Sequence, residues 1–559
     1  MSLTTAGKAK HPRGLYVLFL TEMWERFAYY LLAGILLLYL LDNTTGGKGL
    51  PEKTAADITG TFLALIWLPM FIGGMIADRY FGYIRSVFIG GAFLALGYFG
   101  LILPGNTAMY ISLGLIVIGN GFFKPNISTL LGNIYNKEEL KPLKDNAYNI
   151  FYMGINTGSL LCNFAAAYLR NKYGWGWAFG AAGIGMVIGL VNLATNLKHV
   201  RMGDVRKPPA KEDMTLGQIC LYVFVPGILA AILGYILPEQ LFHSTIMGSQ
   251  ASDAFVFACI PILGFFVSLW VRARGEDRKG IGALLFIFAV SVIFWSLYYQ
   301  NFTAYTLWTE QHTDRTVSTP LIEKGADWMG LLQKVNTNPR PVDSLNRFMA
   351  PVHDAGGKVL KTTGPDPYFH NLPKDKWPPP GQDLKLANAE LYQSIGPFFI
   401  VTLTPLLVAL FTLLRRRRKE PTTPQKFGIA LFLSGLSSLV MFFAVFSVPS
   451  IYHYKVSPSW LWGTYFVITA AEVFLSPMGL SIVSKLAPAR LTSLLMGGWF
   501  LTMSLGSKIA GLMTSSWDKF PDKRVFFLIW FVAGVIGSAL IFSRVGSLNR
   551  IVREKTGEV

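Results

Sequence analysis

Residues 22–30 read EMWERFAYY and place three ionisable side chains inside an apolar run that covers about residues 15–41. A run of this length can cross a bilayer, which takes about 20 apolar residues. Each charge near the bilayer centre costs roughly 2.5 to 3.5 kcal/mol, so charged groups at that depth normally face a protein interior or a water-filled cavity. The stretch therefore predicts a membrane-spanning helix with functional charges; a charge cluster at the membrane surface is the alternative.

Helical geometry places the polar side chains of this stretch on one face. Glu22, Glu25 and Arg26 are spaced at i, i+3 and i+4 and therefore meet on the helix surface. Tyr29 and Tyr30 continue that face by another turn. We expect this face to look into a wet or polar interior, with the rest of the helix apolar.

The composition is that of a polytopic membrane protein. Of the 559 residues, 52% are hydrophobic and 14% aromatic, and the mean hydropathy is +0.41. These figures suit neither a soluble enzyme nor a disordered chain. The formal net charge of +18 would indicate nucleic-acid binding in a soluble protein, but here the basic residues are concentrated between apolar runs. We therefore predict a lipid bilayer as the surroundings and no nucleic-acid partner.

The basic residues also predict the topology. They cluster on alternate loops, at about 8–13, 79–85, 137–144, 198–211, 272–279, 415–419 and 550–555. Lys and Arg are enriched in cytoplasmic loops of membrane proteins, so this alternation places both termini in the cytoplasm.

Fourteen apolar segments predict the fold class, an all-α polytopic membrane protein with 6+2+6 transmembrane helices. The first six lie at about 15–41, 55–78, 84–104, 107–133, 146–169 and 176–197. Two that carry almost no interior polar groups follow at about 216–237 and 251–271. The last six lie at about 280–308, 389–414, 426–448, 459–486, 490–514 and 524–544.

The segment count predicts three domains. Residues 1–200 form an N-terminal six-helix bundle, 201–275 a cytoplasmic linker with two extra helices, and 276–559 a C-terminal six-helix bundle. Two bundles around a central site are a common transporter architecture. A long, proline-containing hydrophilic segment at 312–386 separates the seventh and eighth helices of the two bundles and is predicted to be external; a structural or partner-binding cap and a loose linker both fit its composition.

Charges inside the other predicted spans are few. Lys124 lies in the fourth segment directly before a proline, and Glu472 lies in the third segment from the end. Their positions suit a substrate or ion path, and a permanent structural ion pair is the alternative. Lys508 is expected to be structural, either reaching an interface or pairing locally. Asn156 and Tyr152 form an uncharged polar stripe at i and i−4.

Five ordered motifs carry a resemblance to a known family. Besides residues 22–30, they are GGMIADRYFG at 73–82, FYMGINTGSL at 151–160, SPMGLSIVSKLAP at 476–488 and MGGWFL at 496–501. The stretch at 22–30 matches the ExxERFxYY motif, and the chain resembles the proton-dependent oligopeptide transporter (POT/PTR) family of the major facilitator superfamily. Its two extra central helices resemble those of the bacterial members, which places it in the inner (plasma) membrane as a multi-pass protein.

The resemblance implies roles for individual residues. Arg26 and Lys124 would receive the carboxylate of a di- or tripeptide, and Glu472 its amino group. Glu22, Glu25, Arg26 and Glu472 would couple transport to protons. The other substrate-binding positions implied are Tyr29, Tyr30, Tyr152, Asn156, Trp295, Tyr299 and Ser476.

Three positions depart from the family pattern. Ala33 stands where a cation is common, Tyr299 where the seventh helix often carries an acid, and Gly396 where the eighth helix supplies a peptide-binding asparagine. The first two losses look paired, because removing both partners of a buried ion pair costs far less than removing one. Closure of the outer gate would then depend on other contacts, for which Lys53 with Glu310 is one candidate.

The sequence thus predicts a proton-coupled symporter of di- and tripeptides that works by alternating access. An atypical member moving another small zwitterion or organic anion is the first alternative, and a non-transporting sensor that uses residues 312–386 is the second. No metal-ligand cluster, P-loop or activated nucleophile supports an enzyme. We expect no cofactor, with the proton gradient as the energy source, and the sequence does not indicate an oligomeric state.

Overall fold

The chain is mostly helical. The computed structural model describes residues 10–43, 45–205, 215–349, 351–352, 354, 359–488 and 491–556. The helices of the first part are α1 (Arg13–Leu41), α2 (Glu52–Leu65), α3 (Met70–Ile76), α4 (Tyr83–Gly100), α5 (Asn106–Ile134), α6 (Lys144–Tyr173), α7 (Trp175–Thr195) and α8 (Leu197–Val200). Part of the predicted cytoplasmic linker, residues 206–214, lies outside the described residues.

The remaining helices belong to the second part of the chain. They are α9 (Leu216–Ile219), α10 (Val225–Phe242), α11 (Gln250–Arg272), α12 (Gly275–Tyr298), α13 (Ala304–His312), α14 (Pro320–Trp328), α15 (Ile395–Arg416), α16 (Thr423–Phe446), α17 (Ser459–Leu486), α18 (Thr492–Thr514) and α19 (Lys523–Thr556). A turn of π-helix joins α9 to α10, so the two form one continuous apolar segment.

Eleven helical segments of the described chain are long and apolar enough to cross a membrane. The other three predicted spans are present as α2 with α3, as α6 and as α18. The predicted 6+2+6 count is therefore confirmed. The side of the membrane on which the termini lie stays a prediction.

The second predicted span is broken. The sequence interpretation treats residues 55–78 as one helix, but α2 ends at Leu65 and α3 starts at Met70, directly after Pro69. Proline has no backbone N–H to donate and clashes with the carbonyl of the residue four positions earlier, so a helix is interrupted there.

Two compact units can be distinguished, and each is described by itself. The first comprises residues 1–32 and 65–211, and the second comprises residues 33–64 and 212–559. The division passes through α1 after Leu32, so the end of α1 and all but the last residue of α2 pack with the later part of the chain. The domain boundaries expected at 200 and 275 stay predictions.

Small residues bring helices of the first unit into backbone contact. A Cβ atom built on Gly158 of α6 would lie 2.3 Å from the Met23 carbonyl oxygen of α1. A Cβ atom on Gly73 of α3 would lie 2.0 Å from the Gly121 carbonyl of α5. That carbonyl precedes Pro125 by four residues and therefore lacks its helical donor. These contacts hold α3 and α6 close to the two helices that carry the predicted charges.

The second unit contains the last six spans and the two extra helices. In it, α16 and α19 pack through Gly435 and Gly534, where a Cβ atom on Gly534 would lie 2.5 Å from the Gly435 Cα. The extra helices α10 and α11 pack on each other, with Gly234 against the Asp253 carbonyl.

The described part of the segment at 312–386 is folded. It contains α14 and two antiparallel pairs of strands: β1 (Leu332–Val335) with β4 (Leu384–Ala387), and β2 (Arg340–Asp343) with β3 (Lys361–Gly364). Val335, Tyr368, Phe369, Leu372 and Leu386 form a small buried core. The Asn371 amide donates to the carbonyls of Gln311 and Ile451, which ties this core to the helices. These contacts favour a structural cap over a loose linker.

Candidate functional site

Glu25 and Arg26 form a buried bidentate ion pair on α1. Arg26 Nε lies 2.5 Å from Glu25 Oε2, and Arg26 Nη2 lies 2.5 Å from Glu25 Oε1. Glu25 is fully buried and Arg26 is 2% exposed. The Arg26 guanidinium also lies 4.6 Å from the centre of the Tyr29 ring and 6.0 Å from that of Tyr30. The predicted polar face of α1 is therefore present, and its arginine is enclosed by a carboxylate and two aromatic rings.

Lys124 of α5 completes the group. Its ammonium donates to Glu22 Oε1, and Arg26 Nε lies 3.8 Å from the same oxygen. Within the described residues, the buried Glu22 Oε2 atom has no hydrogen-bond partner. We call Glu22, Glu25, Arg26 and Lys124 the α1–α5 charge cluster. Its two carboxylates and two cationic side chains neutralise each other's charge, and such pairing allows ionised groups to lie inside a membrane protein.

Two neighbours of the cluster were missed by sequence reasoning. Asn120 accepts a hydrogen bond from Arg26 Nη2 at 3.1 Å and donates to the Ile66 carbonyl at 2.9 Å. It lies four residues before Lys124, so helical spacing would have indicated it. The fully buried Tyr98 of α4 lies within electrostatic range of Glu25 and Arg26, and no local pattern in its apolar helix pointed to it.

Asn156 and Tyr152 lie together on α6, as their spacing predicted. The Asn156 amide nitrogen donates to the Tyr152 carbonyl at 2.9 Å, a bond within the same helix turn. Asn156 is 4% exposed. Its amide is thus held in place by its own backbone, and the role of both residues in binding stays a prediction.

The predicted site residues of the second unit form an aromatic group beside one acid. The Tyr298 hydroxyl, at the end of α12, lies near the carboxylate of Glu472 of α17. The Trp295 ring centre lies 5.6 Å from that of Tyr298 and 6.2 Å from that of Tyr299. Sequence reasoning missed Tyr298 as a partner of Glu472. Ser476 lies on α17, but its side chain lies outside the described part of the structure.

Uncharged residues lie near Ala33 of α1 and Gly396 of α15, two of the positions that depart from the family pattern. The carbonyl of Gly34, next to Ala33, accepts a hydrogen bond from Gln393 at 3.1 Å. A Cβ atom on Gly396 would lie 3.7 Å from the Tyr465 ring and 3.9 Å from the Thr469 hydroxyl, so a Cβ atom would fit there in ordinary van der Waals contact.

The suggested gate residues have other surroundings in this structure. Glu310 lies 3.0 Å from Arg315, and the exposed Lys53 lies beside Gly248. A contact between Lys53 and Glu310 stays a prediction.

Lys508 neither reaches an interface nor pairs locally. It is 2% exposed, and its ammonium lies 2.8 Å from Asp57 Oδ1 of α2, a partner 451 residues away in the chain. The expectation of an interfacial or local role was therefore wrong. A lysine can be buried on an apolar helix when a neighbouring helix places a carboxylate next to it. The spacing of residues along the sequence cannot identify such a partner.

Comparison with known proteins places the chain among transporters. The family model described as "PTR2: POT family" matches residues 84–336 and 385–538. The uncharacterized transporter YclF of Bacillus subtilis (strain 168) is 30% identical over 545 residues, which cover 97% of this chain and 95% of that protein. A di-/tripeptide transporter of Lactococcus lactis subsp. lactis (strain IL1403) is 28% identical, covering 95% and 94%.

A solved structure agrees with these matches. The crystal structure of a peptide transporter POT in complex with sulfate has a TM-score of 0.73 and 27% sequence identity. The match covers 98% of this chain and 96% of that chain. The similarity therefore extends over nearly the whole length of both chains.

Proposed function

Because the chain belongs to the POT family, we propose that it is a symporter that imports di- and tripeptides together with protons by alternating access. The α1–α5 charge cluster is the observation that carries this proposal. Three buried charges on α1 and the partly buried Lys124 of α5 are costly inside membrane-spanning helices, and such groups mark paths for ions and substrates.

Membership of the family has two direct consequences. The chain is a multi-pass protein of the bacterial inner membrane with a major facilitator fold. Its family is one of transporters and not a class of enzymes.

The cluster suggests how a proton and a peptide would be coupled. Lys124 is bound to Glu22 and Arg26 to Glu25, so a substrate carboxylate must compete with these side chains for the two cations. A proton on Glu22 would cancel its charge and leave Lys124 available to the substrate. Proton binding and carboxylate binding would then favour each other, which is the requirement for symport.

Glu472 is the proposed partner of the substrate amino group. It is the acid beside the aromatic group of the second unit, and the nearby Tyr298 hydroxyl would donate to its carboxylate and orient it. The tyrosines of α1, with Tyr152, Asn156, Trp295, Tyr299 and Ser476, are proposed to contact the peptide backbone and side chains. A zwitterionic peptide is complementary to these charges, because its carboxylate would bind the cations Arg26 and Lys124 and its amino group would bind Glu472.

Uptake by proteoliposomes tests the proposal. Purified protein is reconstituted, and accumulation of a labelled dipeptide is measured with and without an inward proton gradient. We expect accumulation only with the gradient and competition by unlabelled tripeptide. Equal uptake with and without the gradient would refute the proton coupling. If no peptide is taken up, the assignment of peptides as substrates is refuted.

Another small zwitterion or organic anion is the second candidate substrate. Gly396 favours it, because a glycine at this position near Tyr465 and Thr469 offers no side-chain amide to a peptide. A thermal-shift screen of peptides against amino-acid derivatives distinguishes the two, since a ligand that binds the folded state raises the melting temperature. Stabilisation by the derivatives alone would favour this candidate.

A sensor without transport is the third candidate. The folded segment at 312–386 motivates it, since an ordered cap can bind a ligand. Replacing residues 317–383 by a short Gly-Ser linker tests it. This change retains Arg315 with its contacts to Glu310 and to the Ala387 carbonyl, and it removes its contacts to Gln333 and Tyr368. Retained peptide uptake would refute the sensor.

A further inference from the structure

Asp57 of α2 is a buried carboxylate that accepts hydrogen bonds from two other helices. The residue is 8% exposed. Its Oδ1 atom accepts from the Lys508 ammonium of α18 at 2.8 Å and from the Ser252 hydroxyl of α11. Its Oδ2 atom accepts from the Ser249 hydroxyl at 2.5 Å. Both oxygens are therefore satisfied, which is what an ionised carboxylate needs in a buried position.

Lys508 is enclosed by the same group. Besides Asp57, its ammonium donates to the Thr61 hydroxyl at 2.5 Å, one turn further along α2. Asp253 of α11 adds a second negative charge nearby. The lysine thus bridges α18 to α2 through two side chains.

Beside the ion pair, α2 and α18 also touch through their backbones. The Cα atom of Gly511 would lie 2.5 Å from a Cβ atom built on Gly60, and the reverse distance is also 2.5 Å. The Ser504 hydroxyl donates to the Ala64 carbonyl at 2.7 Å. Small residues thus form this part of the contact. Such residues allow two helix backbones to approach closely.

The turn between the extra helices α10 and α11 supports the pair. Ser249 caps α11 by accepting from the Ser252 backbone N–H at 3.1 Å. Asp253 accepts from the backbone N–H groups of Ile246 and Met247 at 2.9 and 2.7 Å, which fixes the turn. The two serine hydroxyls are thereby directed at Asp57, so the extra helices contribute directly to this ion pair.

We propose that Asp57 and Lys508 form a latch that holds α2 against α18 on the predicted outer side and opens in each transport cycle, with Ser249 and Ser252 setting its strength. The inference rests on the proposed alternating access. Helix α2 belongs to the first six spans and α18 to the last six, so outward opening must separate them. The latch supplies the closing ion pair that Ala33 and Tyr299 do not.

An ion pair such as Asp57 with Lys508 is well suited to a helix contact that breaks and re-forms in each transport cycle. When α2 leaves α18, both ionised groups gain water, which compensates for much of the lost attraction. Apolar side chains exposed in the same way would gain nothing from water. A permanent structural pair is the competing explanation, and it predicts that α2 and α18 stay together while the protein remains folded.

Thiol labelling tests the latch without any substrate. Cys162, Cys220 and Cys259 are replaced by alanine, and the fully buried Ala64 on the α2 side of the contact is changed to cysteine. A membrane-impermeant maleimide is then added from the outer side of right-side-out vesicles. We expect Asp57→Asn and Lys508→Gln each to raise the labelling rate by about tenfold, because each leaves the other charge buried and unpaired.

Two further variants keep the proposal falsifiable if a single substitution prevents folding. The exchanged pair Asp57→Lys with Lys508→Asp should return labelling to within about twofold of the parent, because the attraction is restored. Ser249→Ala with Ser252→Ala keeps both charges and should raise labelling by roughly two- to fivefold. Lys279→Gln, which removes an exposed ion pair with Glu276, is the matched control and should change nothing.

Parent-like labelling in folded Asp57→Asn, or in the double serine variant, would overturn the latch. Because labelling needs no peptide, this result is distinct from a failure of peptide uptake in proteoliposomes. If the labelling results support the latch but the protein transports no peptide, the proposal of the latch stands and only the assignment of the substrate is refuted.

Discussion

Lys124 and Glu22 form an ion pair that joins α5 to α1 inside the membrane-spanning part of the protein. Arg26 approaches the same carboxylate at 3.8 Å, so Glu22 is the acid shared by both cations of the α1–α5 charge cluster. This position makes it the first residue to test.

Glu22→Gln should strongly reduce proton-driven uptake while peptide exchange continues. Glutamine keeps a hydrogen-bond acceptor for Lys124 but cannot take up or release a proton. We expect the gradient-driven rate to fall by about tenfold or more, and counterflow without a gradient to stay within about threefold of the parent. Both rates are measured in proteoliposomes.

The matched control for this change is Glu138→Gln, which removes an exposed acid that pairs with Lys141. It should leave both rates unchanged. If the Glu22→Gln protein still accumulates peptide when the gradient is applied, the coupling proton must bind to a residue other than Glu22.

Glu472→Gln should separate ligands by their amino group. A free-amine dipeptide loses its charge partner, so its affinity should fall by roughly ten- to a hundredfold, whereas an N-acetylated dipeptide keeps its affinity. Binding is measured by thermal shift or calorimetry on purified protein. Equal losses for both ligands would refute the assigned role.

Tyr298→Phe is the companion variant, because it retains the acid and removes only the hydroxyl that is proposed to donate to it. We expect a smaller loss of about three- to tenfold for the free-amine ligand, since one hydrogen bond to a charged group is removed.

Gly158→Ala should destabilise the protein by about 1 to 3 kcal/mol. The new Cβ atom would lie 2.3 Å from the Met23 carbonyl, a backbone atom of α1 that cannot move aside without shifting the helix that carries the charge cluster. The melting temperature should fall accordingly.

Gly114→Ala is the matched control, since it is also a helical glycine but its Cβ atom would meet nothing within 4 Å. Alanine favours helix, so this variant should be neutral or slightly stabilised. A Gly158→Ala protein as stable as this control would show that the α1–α6 contact can relax.

Lys455 should make stability depend on pH. It lies between α16 and α17, and burial, with the nearby Arg315, lowers its pKa to about 7. The unfolded state, with a pKa near 10.5, therefore binds more protons between pH 7 and 10.5. Stability should rise with pH through this window, at up to about 1.4 kcal/mol per pH unit, and this group should add no slope below about pH 7.

The measurement compares melting temperatures at pH 7, 8 and 9 for the parent and for Lys455→Met. The variant should lack the part of the slope that comes from this residue, and the exposed Lys376→Met should keep it. A slope that persists in Lys455→Met would assign the pH dependence to other groups.

Several features could be predicted because they depend on neighbours along the chain. The spacing of Glu22, Glu25 and Arg26 within one helix places them on one face, and the structure brings these three side chains together. Asn120 was within the same reach, one turn before Lys124. The break between α2 and α3 also had a local signal in Pro69, which the hydropathy of the segment obscured.

Other features had no local signal. Lys508 pairs with a carboxylate 451 residues away, and Gln393 binds a carbonyl 359 residues away. Nothing around Asp57 indicates that two serines of another helix will meet it. Such partners are selected by which helices pack side by side, and a single sequence contains no direct record of that choice.

The sequence alone therefore determined that the chain crosses a membrane many times, that its spans are arranged as 6+2+6 and that the first span carries charges on one face. Hydropathy and helical periodicity are properties of consecutive residues, so these conclusions needed no packing. Only the tertiary structure decided that Glu22 pairs with Lys124, that Glu25 holds Arg26 and that Asp57 closes on Lys508. A buried charge is stabilised by whichever partner packing brings within reach, and that partner can lie anywhere in the chain.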